Sequence, residues 1–202
     1  MKIAAYWLAL LTLVMVPPFM VVWFVVHPLI RFWRRLGPLK TYTFVGFFLL
    51  LAMWLLYTLR DQMMRVSFGV NWVLVILAIQ IFLISMLIGF LRMRHLKPST
   101  MIGLLEVRGE GDPGNLLTEG IYSLIRHPRY VEVWLGLLAI ALFTNYLAMY
   151  ILVIVFIPMI YGVVLLEERE LKERFGQQYE KYCAEVPRFF PKKHKVQAIP
   201  PP

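Results

Sequence analysis

The stretch VWLGLLAIALFTNYLAMYILVIVFIPMIYGVVLL, residues 133–166, contains no charged residue over 34 positions. As a single helix it would extend about 51 Å, whereas the hydrocarbon core of a bilayer is roughly 30 Å thick. We therefore expect this stretch to fold back as a membrane hairpin with its turn near Asn145. The hairpin would bring its two polar flanks, residues 126–130 and 167–170, to the same membrane face.

Composition places the whole chain in the membrane class. Of its 202 residues, 60% are hydrophobic and 15% are aromatic, and the mean hydropathy is +0.68, which exceeds ordinary soluble domains. Further uncharged stretches cover residues 3–30, 41–59 and 66–91, and each is long enough to cross a bilayer. Pro17 and Pro18 predict a kink in the first of them. We predict an all-α integral membrane protein with about five transmembrane segments, of which the last two form the hairpin.

The distribution of basic residues predicts the orientation of these segments. The chain has a net charge of +9, with four basic residues after the first segment and two after the second. The excess of basic residues on cytoplasmic loops places the first loop, the loop after the third segment and the C-terminal tail in the cytoplasm. Membrane lipids are therefore expected partners. Nucleic acid is not an expected partner, because no basic stripe with interleaved aromatic residues lies outside the membrane segments.

We expect a single domain in two parts. Residues 1–96 would contain three transmembrane helices, and residues 97–202 would contain a cytoplasmic loop, the transmembrane hairpin at 130–166, and a cytoplasmic C-terminal helix and tail. The single cysteine, Cys183, excludes an intrachain disulfide framework. The four histidines are widely scattered, at positions 27, 95, 127 and 194, so the sequence predicts no metal site.

An acidic residue begins an apolar stripe after the hairpin. The stripe has helical spacing and consists of Glu167, Leu171, Phe175, Tyr179 and Tyr182. It predicts one helical face that bends near Gly176. Because an ionised carboxylate on an apolar face needs a cation, Glu167 should meet either the ammonium group of a ligand or one of the arginines at 126, 129 and 188.

The polar neighbours of this stripe have more than one interpretation. Glu168, with Glu170, Lys172 and Glu173, is expected to form a solvated helix face. His127, at a predicted helix start, is either a structural hydrogen-bonding group or a base. The residue types alone do not decide between these roles.

Five short motifs occur in order between residues 115 and 191. They are Gly-Ile-Tyr at 120–122, Arg-His-Pro-Arg-Tyr at 126–130, Glu-Glu at 167–168, Phe-Gly-x-x-Tyr-x-x-Tyr at 175–182, and Val-Pro-Arg-Phe at 186–189 followed by Pro191. Together with the hairpin, they resemble the C-terminal half of the isoprenylcysteine carboxyl methyltransferase family and its phospholipid methyltransferase relatives. The resemblance identifies residues 97–202 as the catalytic region.

The resemblance implies an S-adenosyl-L-methionine (SAM)-dependent methyltransferase with its site at the cytoplasmic membrane face. The acceptor would be a lipophilic small molecule or a prenylated group that enters from the bilayer, and S-adenosyl-L-homocysteine would be the product. The implied cofactor-binding residues are Gly114, Asn115, Leu116, Leu117, Tyr122, His127, Pro128, Arg129, Tyr130 and Glu167. Arg126 and Glu168 are the candidate catalytic residues. Glu168 or His127 could take a proton from an amine acceptor.

Two departures from prenylcysteine methyltransferases leave the acceptor open. Val163 stands where those enzymes carry an arginine assigned to the substrate, and Glu132 stands where they commonly have glycine. Arg126 or Arg188 could replace the missing cation, or the acceptor could be an amine, as in a phospholipid amine N-methyltransferase. Two further alternatives are an NADPH-dependent membrane enzyme similar to steroid 5α-reductases and a non-catalytic membrane protein. The oligomeric state is also open.

Overall fold

A computed structural model of the chain describes residues 1–26, 30–94 and 116–191. Over these residues it contains eight α-helices and one 3₁₀ helix, with no β-strand in the same ranges. The α-helices are α1 (Lys2–Val26), α2 (Ile30–Leu36), α3 (Pro38–Thr58), α4 (Arg60–Met63), α5 (Trp72–Met93), α6 (Pro128–Thr144), α7 (Leu147–Phe175) and α8 (Gln177–Glu185). The 3₁₀ helix covers Gly120–Ser123. The predicted all-helical class is confirmed for the described residues.

Four of these helices, α1, α3, α5 and α7, are long and apolar enough to cross a membrane. With the composition, they show an integral membrane protein. Helix α6 has 17 residues and is therefore about 26 Å long, close to the lower limit for a span. Helix α1 continues through Pro17 and Pro18. The predicted first segment ran on to position 30, but residues 27–29 lie outside the described ranges.

The uncharged stretch folds as the predicted hairpin, with Asn145 between α6 and α7. Asn145 has a φ of 55° and caps the C-terminus of α6, where its N–H donates to Ala141 O at 2.9 Å. Asparagine adopts this left-handed conformation more readily than other residues with a side chain. The Tyr150 hydroxyl donates to Asn145 Oδ1 at 2.8 Å, which fixes the asparagine side chain. The predicted turn position is therefore confirmed.

The third membrane helix starts later than predicted. The uncharged stretch begins at Val66, but α5 begins at Trp72, because Asn71 caps it by accepting hydrogen bonds from the N–H groups of Val73 and Leu74. A side-chain acceptor at this position ends the preceding loop and starts the helix. The earlier start was wrong because hydropathy does not distinguish an apolar loop from a helix.

The loop before α5 pairs instead with the hairpin turn. Phe68 N donates to Asn145 O at 3.0 Å, Leu147 N donates to Val66 O at 3.1 Å, and Asn145 Nδ2 donates to Gly69 O at 2.9 Å. We call this end of the bundle, residues 66–69 and 145–147, the turn end. The opposite end, where α5 finishes, α6 starts and α7 becomes charged, is the site end.

The main core lies where α1, α6 and α7 meet. Ala9 of α1, Ala141 of α6, and Met149 and Val164 of α7 are fully buried in it. Small residues at membrane helix contacts let the backbones approach closely. Helices α5 and α6 form the most extensive helix pair of the described residues. This packing holds the start of α6 firmly at the site end.

A second, smaller core forms beyond the membrane helices. Helix α7 ends at Phe175, Gly176 takes a φ of 52°, and α8 follows. The smaller core consists of Tyr179, Tyr182 and Val186, with Leu116, Leu171, Phe175 and Cys183 packed around them. The apolar members of the predicted stripe therefore do share one face, and the bend at Gly176 is confirmed. We call this group the tail cluster.

Candidate functional site

The C-terminal tail positions the Arg-His-Pro motif through backbone hydrogen bonds. Arg126 N donates to Pro187 O at 2.9 Å, and His127 N donates to Arg188 O at 3.1 Å. Pro128 is fully buried at the first position of α6, where a missing N–H is harmless because that group has no partner inside the helix. The motif is therefore held between the tail and the core.

Glu168 is the buried acid at the site end, with only 7% of its side chain exposed. Arg126 Nη2 lies 3.0 Å from Glu168 Oε1, and His127 Nε2 lies 3.2 Å from the same oxygen. Arg188 donates to both carboxylate oxygens of Glu168, with Nε 3.0 Å from Oε1 and Nη2 2.7 Å from Oε2. The expectation that Glu168 forms part of a solvated face was wrong, because its helix face turns toward these donors.

The contacts of Glu168 make it a poor proton acceptor. Its two oxygens are surrounded by the guanidinium groups of Arg126 and Arg188 and by the imidazole of His127. Such charge-assisted bonds stabilise the ionised form and occupy the lone pairs that would take a proton. The geometry fits a positioning role for Glu168 better than that of a base.

Glu167 is the more accessible acid of the pair, with 35% of its side chain exposed. Its Oε2 lies 3.6 Å from His127 Nδ1, which confirms that the hairpin brings positions 127 and 167 together. Of the arginines proposed as its structural partners, Arg126 and Arg188 contact Glu168 instead. His127 therefore links the two acids, one through each ring nitrogen.

Several of the other predicted cofactor-binding residues also lie at the site end. Burial raises the pKa of the Tyr122 hydroxyl, and Arg92, Glu167, Arg129 and Glu132 all act on it electrostatically. These four charged residues therefore lie within electrostatic range of the Tyr122 hydroxyl. The 3₁₀ helix that carries Tyr122 is held by the tail, because the Tyr182 hydroxyl donates to Tyr122 O at 2.6 Å.

The remaining predicted residues are divided between two surroundings. Tyr130 is half-buried and packs against the main core. Leu116 packs against the tail cluster, and the next residue, Leu117, is half-buried. Gly114 and Asn115 lie outside the described residues. The described members of the set therefore surround the junction of the core and the tail.

The sequence interpretation missed an ion pair between α5 and α6. Arg92 Nε donates to Glu132 Oε2 at 2.8 Å, and Ser85 Oγ donates to Glu132 O at 2.8 Å. A Cβ atom on Gly89 would lie 2.6 Å from Glu132 Oε1, so glycine leaves the room that the carboxylate occupies. The available signal was Glu132 itself, since an acid at the start of an apolar helix needs a nearby cation.

Arg126 also has a buried group that makes no hydrogen bond within the described part of the chain. Its side chain is 8% exposed, and its Nε atom has no acceptor there. The same is true of the Tyr179 hydroxyl. In residues 1–26, 30–94 and 116–191 there is no group of three or more histidine, cysteine or acidic side chains arranged to hold a metal ion.

The stability of the site should fall as pH rises. Burial lowers the pKa of His127, but its contacts with Glu167 and Glu168 raise it, and the folded-state pKa lies above the usual value. A protonated histidine that gains carboxylate partners on folding stabilises the folded state. This stabilisation is complete below the pKa of the unfolded chain, about 6.5, and it is lost as the pH rises through the pKa of the folded protein.

We expect the melting temperature of the wild type to fall more between about pH 6 and pH 9 than that of a His127→Gln variant. Differential scanning fluorimetry of both proteins at matched ionic strength measures the two slopes. Equal slopes would show that His127 does not titrate with folding.

Comparison with known proteins identifies the family. A family model described as phospholipid methyltransferase matches residues 73–178, which is slightly more than half of the 202 residues. The match begins in α5 and reaches α8, so it extends further toward the N-terminus than the motifs between residues 115 and 191. The resemblance inferred from those motifs is confirmed.

Two curated relatives are similar over a shorter region. The cobalt-zinc-cadmium resistance protein CzcN of Cupriavidus metallidurans is 38% identical over 78 residues, and the nickel-cobalt-cadmium resistance protein NccN of Alcaligenes xylosoxydans xylosoxydans is 29% identical over 77 residues. Each alignment covers 38% of this chain and 36% of the relative. The family match and the helical membrane architecture agree, and the chain belongs to the phospholipid methyltransferase family.

Proposed function

We propose that the protein is a SAM-dependent methyltransferase that acts on a lipophilic acceptor in the membrane. The observation that carries this proposal is the contrast between two adjacent acids at the site end. Glu168 is buried, and Arg126, His127 and Arg188 contact its carboxylate, whereas the side chain of Glu167 is about one-third exposed beside His127. A partly exposed acidic side chain on a rigid support suits the ammonium group of an amino-acid cofactor.

The residues around Glu167 fit the other parts of SAM. Leu116 and Leu117 precede the 3₁₀ helix and could offer backbone N–H groups to the cofactor carboxylate, a role that Gly114 and Asn115 would share by sequence. Glu167 and Arg129 both act electrostatically on the Tyr122 hydroxyl. Pro128 and Tyr130 would keep the start of α6 in place. When bound, SAM supplies an electrophilic methyl group on a sulfonium.

The chain's own contribution would be alignment and exclusion of water. Methyl transfer is an in-line displacement, so holding the acceptor and the cofactor at the correct distance lowers much of the barrier. Glu168 would act as a positioning residue, because it fixes His127 and Arg188 on either side of the junction between core and tail. Arg126, bonded to the same carboxylate, would help to orient the motif.

The acceptor is either a carboxylate, as in prenylcysteine, or an amine, as in a phospholipid headgroup. Val163 is 1% exposed in the main helix bundle, so position 163 offers no cation to a carboxylate acceptor. Arg188 is committed to Glu168, which leaves it less suited to replace that cation. These two observations favour the amine acceptor, for which an acid near the site is no obstacle.

We also propose that α6 is a fifth span and that the site end faces the cytoplasm. The site end carries Arg92, Arg126, Arg129 and the charged end of α7, and basic residues accumulate on cytoplasmic faces. With this orientation, SAM would enter from the cytoplasm and the acceptor from the bilayer.

Titration of the purified protein in lipid nanodiscs with S-adenosylhomocysteine and, separately, with NADPH tests the proposal. We expect saturable binding by the wild type and binding about tenfold to a hundredfold weaker by Glu167→Gln, because a hydrogen bond between charged groups contributes about 1.5–3 kcal/mol. Glu173→Gln is the matched control, since it removes an exposed carboxylate six positions further along the same helix.

Two outcomes of this titration would contradict the proposal. If folded wild-type protein binds no S-adenosylhomocysteine, the cofactor assignment fails. If the protein binds NADPH instead, the reductase alternative becomes the better explanation. Equal affinities of Glu167→Gln and Glu173→Gln for S-adenosylhomocysteine would leave the cofactor but remove Glu167 from its site. Mixed-lipid nanodiscs with radiolabelled SAM then distinguish an amine-headgroup acceptor from a prenylcysteine carboxylate.

A further inference from the structure

An open groove lies on the surface of α2 and the first half of α3, separate from the Glu167–Glu168 site. It has a volume of about 560 Å³ and is lined by Leu36, Leu39, Lys40, Thr43, Phe44 and Phe47. Helix α3 packs mainly on α1 and α2, and only 6% of the residues in its apolar span are buried inside the protein. The groove therefore faces the membrane rather than the protein core.

The groove is preformed by contacts that fix α2 against its neighbours. Trp33 is 3% exposed, and its Nε1 donates to Val25 O of α1 at 3.2 Å. Thr41 Oγ1 of α3 donates to Trp33 O at 3.2 Å. These bonds tie α2 to both adjacent helices and so fix Leu36, the lining residue on α2, beside the lining residues of α3.

The segment of sequence that forms the groove is basic and contains no acid. Residues 1–60 contain no aspartate or glutamate, and the first acidic residue is Asp61. Positions 31–40 carry Arg31, Arg34, Arg35 and Lys40. Basic residues beside an apolar membrane surface attract anionic lipid headgroups. A second copy of this chain is a poor occupant, because it would bring the same positive charges to the contact.

The order of side chains along α3 matches the shape of a phospholipid. Helix α3 ends at Thr58 and is followed by α4 and then by the loop at residues 66–69, which is bonded at the turn end, so the first residues of α3 lie at the site end. Lys40 is therefore near the membrane surface, and Phe44 and Phe47 follow on the same helical side about 6 and 10 Å deeper. A cation at headgroup level with aromatic rings below it fits a phosphate and the acyl chain attached to it.

We propose that this groove is a binding site for one anionic phospholipid, with its phosphate at Lys40 and an acyl chain along Phe44 and Phe47. The proposal does not depend on the methyltransferase activity. It requires a preference for anionic over zwitterionic headgroups, and it requires that the preference resides at Lys40 rather than in the total charge of the membrane face.

Native mass spectrometry of the full chain in detergent, titrated with phosphatidylglycerol or phosphatidylcholine, measures this preference. Lys40→Gln should bind phosphatidylglycerol about fivefold more weakly, because one basic residue near the headgroup contributes about 1 kcal/mol. Lys172→Gln is the matched control, since Lys172 is an exposed lysine in the last turn of α7, at the same end of the bundle. Its affinity should equal that of the wild type.

A second variant tests the groove without changing charge. Thr43 is exposed, with its hydroxyl bonded only within its own helix among the contacts of the described residues, so Thr43→Trp should fold and fill the groove. We expect it to reduce retention of phosphatidylglycerol as strongly as Lys40→Gln. Equal losses in the Lys40 and Lys172 variants, unchanged binding by Thr43→Trp, or equal affinity for both lipids would each overturn the proposal.

Discussion

Glu168→Gln should lower the melting temperature of the protein by about 10 °C, the largest effect we expect from a single substitution. The Glu168 carboxylate is the shared partner of Arg126, His127 and Arg188. Removing one partner of a buried ion pair costs about 3–5 kcal/mol, because the remaining charge stays desolvated. In a chain of this length each kcal/mol lowers the melting temperature by about 2–4 °C.

The neutral amide of glutamine keeps the shape of the side chain, so the fall in melting temperature would come from the lost charge and not from lost packing. Differential scanning fluorimetry in one detergent measures it. Glu173→Gln is the control, because the Arg169–Glu173 pair is exposed on both sides and such pairs contribute little. A Glu168→Gln protein as stable as Glu173→Gln would mean that the three cations are solvated in the membrane-bound protein.

Breaking the Arg92–Glu132 pair should have the next largest effect. Arg92 is 9% exposed and Glu132 is 24% exposed, and they join the ends of α5 and α6. Arg92→Met would leave the Glu132 carboxylate at the membrane boundary without this cation. We expect a loss of about 3 kcal/mol, which is a fall of about 8 °C in melting temperature.

The double variant distinguishes pairing from packing. Arg92→Met combined with Glu132→Gln removes both charges, so its loss should be smaller than the sum of the two single losses. Arg94→Met is the matched control, because Arg94 is an exposed arginine at the same helix end, stacked on Phe90 at 4.4 Å. Additive losses in the double variant would show that the ion pair adds no coupling energy and that the side chains act by packing alone.

Features set by residues close together in the sequence were predicted correctly, and features set by residues far apart in the sequence were not. The hairpin and its turn at Asn145 follow from a local run of uncharged residues, and both were predicted correctly. The start of α5 was predicted too early, because the loop at residues 66–69 is uncharged like the helix but bonds to a segment nearly 80 positions away. The apolar stripe through Tyr179 and Tyr182 was predicted because its spacing is that of a helix.

Which of two adjacent acids is buried could not be predicted in the same way. Glu167 and Glu168 are neighbours in sequence, and helical spacing placed Glu167 on the apolar stripe. The structure buries Glu168 instead, because the tail brings Arg188 back beside Arg126 and His127 through two backbone hydrogen bonds. Those bonds join residues about 60 positions apart, which no local pattern records.

The amino-acid sequence by itself determined that the protein is a helical membrane protein with a hairpin at Asn145, and its ordered motifs identified the family. These properties depend on local hydropathy and on short runs of residues. Only the tertiary structure decided that Glu168 is bonded to Arg126, His127 and Arg188 while Glu167 stays partly exposed, and that Arg92 pairs with Glu132. Both depend on the distance between side chains that lie far apart in the sequence, which the folded backbone sets.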